Sequence, residues 1–173
     1  MNKFLLLTLI ILHILLHLFS TKNGNFYFTV DQGRDALAVR EILVRHQLIW
    51  QGPRTGAIEN LFVGPLWYFV IAPGYLFFGG NPWGAVWTMV FVNSLVILAV
   101  FKFSQKYVGL IYAFFLNLGL IVCERFWFAS QFALNPHLLP ALTIGLALSL
   151  AIVYQGKKQL LVLAAFFYRN GYS

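Results

Sequence analysis

Four of the five carboxylates in this chain, Asp31, Asp35, Glu41 and Glu59, lie between Phe28 and Tyr68, interleaved with four arginines, Arg34, Arg40, Arg45 and Arg54. A carboxylate can take the proton of an attacking hydroxyl, or hold a divalent cation against a phosphate leaving group. An arginine presents a planar fork that matches phosphate oxygens. Asp31 stands a few residues after an apolar run, where a water-side base or metal ligand would meet the headgroup of a membrane lipid. Arg34 and Arg54 are the candidate phosphate contacts. Glu59 has no cation beside it and is the candidate second carboxylate, binding substrate or sharing a metal with Asp31. Asp35 and Glu41 each have an arginine within helical reach and are expected to be helix-surface charges. Nucleophile motifs, glycine-rich phosphate loops and cysteine or histidine clusters with metal spacing are absent from the sequence. His13 and His17 are four apart and share a helix face, a possible metal pair; with no third ligand nearby, they are expected to be interior histidines.

The elements that must position these groups belong to a membrane protein. Of the 173 residues, 60% are hydrophobic, 18% aromatic and only 10% charged, and the mean hydropathy is positive. That balance excludes an ordinary soluble domain. The net charge of +7 suits a chain that meets anionic headgroups or phosphate-bearing ligands. The single cysteine, Cys123, supports no disulfide framework.

Apolar runs lay out an all-α, polytopic bundle of about five to six spans, a single membrane domain across residues 1–173. Met1 to Ser20 lacks a small-x-small cleavage site and is expected to be an uncleaved first span. From Thr21 to Leu61 charge interrupts every apolar run, which makes this a water-side loop. Within it Asp31 to His46 is expected to form a helix, with Asp31 as N-cap, Glu41 and Arg45 paired, and Ala36, Val39 and Leu43 on an apolar face lying at the membrane surface. Arg40 snorkels from that side. Gln51-Gly-Pro-Arg-Thr-Gly56 is a turn.

The further spans are expected at Leu61–Phe78, Gly84–Phe103, Tyr107–Cys123 and from Asn135-Pro136 to Tyr154, the last opened by an Asn cap and a Pro. Gln159–Tyr168 is only half a span, so a C-terminus cut short of a full frame is expected. Charge alone leaves the orientation open. With the N-terminus inside, the lysines and arginines outside the first loop divide four to three across the membrane.

The order Asp31-Gln-Gly-Arg-Asp35, Gln51-Gly-Pro-Arg-Thr-Gly56, Gly64-Pro-Leu-Trp-Tyr68, Pro73 and Asn135-Pro-His-Leu-Leu-Pro140 resembles the N-terminal part of bacterial membrane glycosyltransferases of the C-type fold, the branch similar to protein mannosyltransferases and aminoarabinose transferases. The resemblance implies transfer of a sugar from a polyprenyl-phosphate-linked donor to an acceptor glycan, lipid or protein. It places the N-terminus in the cytoplasm of a multi-pass inner-membrane protein, and the first loop outside. Asp31 stands where that family carries its essential acidic residue, and Glu59 is the nearest match to a second. A divalent metal is possible on this pair; membrane lipids, and no nucleic acid, are the other expected partners. A non-catalytic protein that binds anionic polyprenyl lipids through the same basic loop is the alternative.

Overall fold

A computed structural model describes residues 2–54, 62, 64–155, 165–166 and 168–169. Among them every regular element is helical: α1 (Asn2–Thr21), α2 (Val30–Arg45), α3 (Leu66–Phe77), α4 (Trp83–Val108), α5 (Leu110–Val122), α6 (Glu124–Gln131) and α7 (Leu139–Tyr154), with short 3-10 turns at Lys22–Gly24 and Asn135–Leu138. An isolated antiparallel bridge joins Arg54 to Phe62.

α4 is the axis of the bundle. It runs antiparallel to α1: Trp83 Nε1 donates to Thr21 Oγ1 at 3.2 Å at one end, and His13 Nε2 lies 3.3 Å from the Val90 carbonyl further along. Gly109, at φ +90°, turns the chain into α5. Asn93 then ties α6 to α4, donating to Ser130 Oγ at 2.7 Å and to the Phe126 carbonyl at 3.3 Å. α7 packs alongside α4 in the same direction, so that Tyr107 reaches Gln155 at the far end. Such interior hydrogen bonds give apolar helices a specific neighbour where lipid and side chain are equally greasy.

Among the described residues three stretches are long and apolar enough to cross a membrane, Lys3–Gly24, Trp83–Val108 and Asn135–Tyr154, and α5 with α6 makes a fourth if the pair is one broken span. The pair bends by 53° at Cys123, whose extended backbone interrupts the helix. The expected first, third and last spans are therefore among these candidates, although Asn135–Pro136 opens the last as a 3-10 turn without a side-chain cap. The expected span at Leu61–Phe78 is not among them. Its helix has 12 residues, about 18 Å against a hydrocarbon core of about 30 Å. Moreover, Thr21 and Trp83 meet at one end of the bundle, which leaves α2 and α3 together at that end. Gln159–Tyr168 lies mostly outside the described residues.

α3 packs on the first turns of α4 through a contact only glycine permits. A Cβ on Gly74 would stand 2.1 Å from the Gly84 carbonyl oxygen, and one on Gly84 would stand 2.4 Å from that of Gly74. This approach brings Trp67, Ile71 and Tyr75 against Ala85, Val86 and Met89 in one buried cluster. α2 completes it with Val39, while Ala36 and Leu43 pack around the edge. The apolar face expected to lie on the membrane is thus covered by α3. A second stripe, Val30, Leu37 and Val44, spaced by sevens, is the one left exposed.

Candidate functional site

The site is built at the head of α2. Thr29, in extended backbone, is the N-cap, and Gln32 Oε1 accepts from both its N–H and its hydroxyl, at 2.5 and 2.9 Å. This Thr-x-x-Gln box takes the capping role expected of Asp31. Asp31 sits instead in the first turn, where a carboxylate also favours the positive end of the helix. At the other end His46 adopts the left-handed conformation, and its N–H bonds the Glu41 carbonyl, closing the helix.

Arg34 gathers the acidic groups. Its Nη1 donates to Asp31 Oδ1 at 2.8 Å, and its Nε and Nη2 donate to Asp35 Oδ1 at 3.0 and 2.9 Å. Asp31 remains 58% exposed at its side chain and Arg34 40%, whereas the Asp35 side chain is 2% exposed. The other oxygen of Asp35, Oδ2, accepts from Trp67 Nε1 at 2.7 Å across the α2–α3 contact. Asp35 is therefore no helix-surface charge, as its spacing suggested, but a buried carboxylate with both oxygens occupied. Glu41 does behave as expected, pairing with Arg45 at 3.0 Å.

Burial pushes the Asp35 carboxyl above the usual carboxylate range, against the opposing pull of Arg34 and Trp67, with Asp31 adding to the rise. On Arg34 burial disfavours the charge, but the hydrogen bond and charge of Asp35, aided by Asp31, outweigh it and the guanidinium is held more firmly protonated. The two partners differ because Asp35 is the more deeply buried. Tyr68 and Tyr75 complete the surroundings: burial first, and Asp35 second, raise both phenols, Tyr75 to about 12, while Arg34 partly offsets the rise at Tyr68.

Beside this cluster a cavity of about 570 Å³ opens between α2 and the end of α3, lined by Phe28, Leu37, Arg40, Leu43, Tyr75 and Leu76 among others. Arg40 is the charged side chain in this lining, consistent with a stem laid along apolar surface.

The structure thus brings Asp31 and Arg34 together. Arg54 is exposed, its backbone in the bridge to Phe62, and no ion pair among the described residues joins it to Asp31. Glu59 lies outside the described residues. A metal on Asp31 finds little support in its surroundings: Arg34 fills the place between the two nearby carboxylates, and no group of three metal-ligating side chains occurs among the described residues. His13 and His17 are buried in the bundle with ring centroids 4.6 Å apart, as expected of interior histidines.

Asp35 and Trp67 are the members that sequence reasoning missed. A signal existed in the acidic residue four after Asp31, which falls on the same helix face. Comparison of the chain with protein-family models, curated proteins and solved structures finds no match.

Proposed function

We propose that this chain is the N-terminal part of an inner-membrane glycosyltransferase that moves a sugar from a polyprenyl-phosphate-linked donor to an acceptor hydroxyl, with α2 and α3 on the extracytoplasmic side and the N-terminus in the cytoplasm. The observation that carries the reading is the pairing of a solvent-facing carboxylate, Asp31, with an arginine fork at one end of a membrane bundle. A lipid-borne donor presents its phosphate and sugar at that depth, where few other charged groups are available.

In the proposed reaction the acceptor oxygen attacks the anomeric carbon as the bond from that carbon to the phosphate oxygen breaks, with inversion. The acceptor proton passes to Asp31. Asp31 Oδ1 is engaged by Arg34, while Oδ2 has no hydrogen-bond partner among the described residues and is the oxygen to receive it. The electron pair leaves with the polyprenyl phosphate, whose developing charge Arg34 and Arg54 stabilise, with Glu59 as a further substrate contact. Preorganised cations aimed at a leaving phosphate are a large source of rate enhancement.

The test is release of polyprenyl phosphate by membranes carrying wild-type chain or Asp31→Asn, in a full-length frame. Loss of a general base lowers turnover by about 10²- to 10⁴-fold; transfer at the wild-type rate would remove Asp31 from the mechanism. A second reading draws on the apolar cavity beside α2 with Arg40 in its wall. There the chain holds an anionic polyprenyl lipid without turning it over, and Asp31→Asn leaves lipid binding intact with no transfer to lose.

A further inference from the structure

Asp35 has no part in the chemistry just described, yet it is the most constrained charged group of the cluster. Its two oxygens face different elements. Oδ1 takes Nε and Nη2 of Arg34, and Oδ2 takes the indole N–H of Trp67, itself 1% exposed. The side-on grip at Nε and Nη2 fixes the plane of the guanidinium and leaves Nη1 as the end that projects toward Asp31. Through Trp67 the same carboxylate is fastened to α3, whose position is set in turn by the close contact of Gly74 with Gly84. A flexible arginine at the surface would sample many rotamers and lose that entropy on every binding event. Here it is held before any ligand arrives.

We propose that Asp35 is a positioning residue for anion recognition: clamped by Trp67, it aims Arg34 so that a polyprenyl-linked phosphate is received in one orientation beside Asp31. The inference rests on reading the site as a phosphate-binding transferase site. It makes a prediction opposite to that of simple charge. Neutralising Asp35 removes a negative charge next to Arg34, so a site working by net charge alone would bind an anion more tightly. A site working by orientation binds it more weakly, because an amide at position 35 presents an N–H₂ where Arg34 or Trp67 needs an acceptor.

The experiment titrates the full chain in detergent micelles with a polyprenyl monophosphate, and with the uncharged polyprenol as control. Affinity and the indole ¹⁵N–¹H resonances of the tryptophans are followed together. Trp67→Phe identifies the Trp67 resonance by its disappearance. Wild type is expected to prefer the phosphate and to shift the Trp67 resonance on binding it. Asp35→Asn is expected to bind the phosphate about tenfold more weakly, the size of one misaligned charged hydrogen bond, with polyprenol affinity unchanged and the Trp67 shift abolished. Equal or tighter phosphate binding by Asp35→Asn overturns the positioning role while leaving the phosphate site standing. A wild type that does not distinguish phosphate from alcohol overturns both. Should Asp35→Asn fail to fold, Trp67→Phe decides: it keeps the Arg34 pair but removes its indole anchor on α3, so weakening of about threefold supports the inference and unchanged affinity defeats it.

Discussion

Asp35 Oδ2 accepts a hydrogen bond from Trp67 Nε1 at 2.7 Å, joining two buried side chains that stand 32 residues apart. It ties α2 to α3 across the intervening loop. Trp67→Phe removes the donor and keeps an aromatic ring in the cluster. Loss of a hydrogen bond to a charged group costs about 1.5–3 kcal/mol, readable as a lower thermal midpoint in micelles. Asp35→Ala is expected to cost about 3 kcal/mol, the lower end for breaking a buried pair because Arg34 keeps some solvent. Equal midpoints for wild type and both variants would mean that α2 is held by apolar contact alone.

The Gly74–Gly84 contact gives a second prediction. A Cβ on Gly74 would meet the Thr88 hydroxyl and the Gly84 carbonyl, and the carbonyl is backbone that no rotamer change can move, so Gly74→Ala must push α3 off α4. A cost above about 2 kcal/mol is expected. Gly33→Ala is the contrast, since a Cβ there, near the start of α2, meets nothing within 4 Å. It is expected to leave stability unchanged or raise it by about 0.5–1 kcal/mol. Parallel thermal melts of the two variants check the pair.

Protonation of Asp35 has a definite sign. Arg34, Asp31, Tyr68 and Tyr75 are the ionisable groups around it, and burial leads in raising its folded-state value. A raised carboxyl binds its proton in the folded state at a pH where the unfolded chain has already released it. Its contribution to stability is therefore greatest below the unfolded value of about 3.9 and is lost as pH rises through the folded value. Asp35→Asn should flatten this part of the stability curve.

Tyr75 behaves likewise at the alkaline end. With its folded value near 12, its contribution is complete below the unfolded value of about 10 and falls away between about 10 and 12. The loss across that interval is of the order of 2–3 kcal/mol. Denaturant midpoints measured across both pH windows test the assignment, and Tyr75→Phe should abolish the alkaline loss.

Much of the bundle could be read from hydropathy because α1, α4 and the Asn135–Tyr154 stretch are each apolar and long enough for a bilayer. α3 could not. Its apolar run extends from Leu61 through Phe78, but Pro65 sets the start of a 12-residue helix, and only the meeting of Thr21 with Trp83 reveals that the end of α1 and the start of α4 lie at the same end of the bundle. The break at Cys123 was hidden for a similar reason: Glu124-Arg125 marks polarity but not the 53° bend. At the site, the pairing of Glu41 with Arg45 followed helical spacing and was legible. Asp35 was not, since spacing treats a helix as isolated and Trp67 lies in a different helix. The capping box at Thr29 and Gln32 is written in the sequence as Thr-x-x-Gln, but Asp31, also a good capping residue, lies two residues nearer the arginine and competes for that role.

The account stands or falls on α2 and α3 lying on the same, outer side of the membrane. In a Cys123→Ser background, Gln47→Cys tests the loop after α2, and Asn81→Cys tests the turn between α3 and α4. A membrane-impermeant maleimide added to intact spheroplasts is expected to label both. Labelling of Gln47→Cys alone would restore a span at Leu61–Phe78, and labelling of neither until the membrane is opened would place Asp31 in the cytoplasm and contradict the proposed transfer.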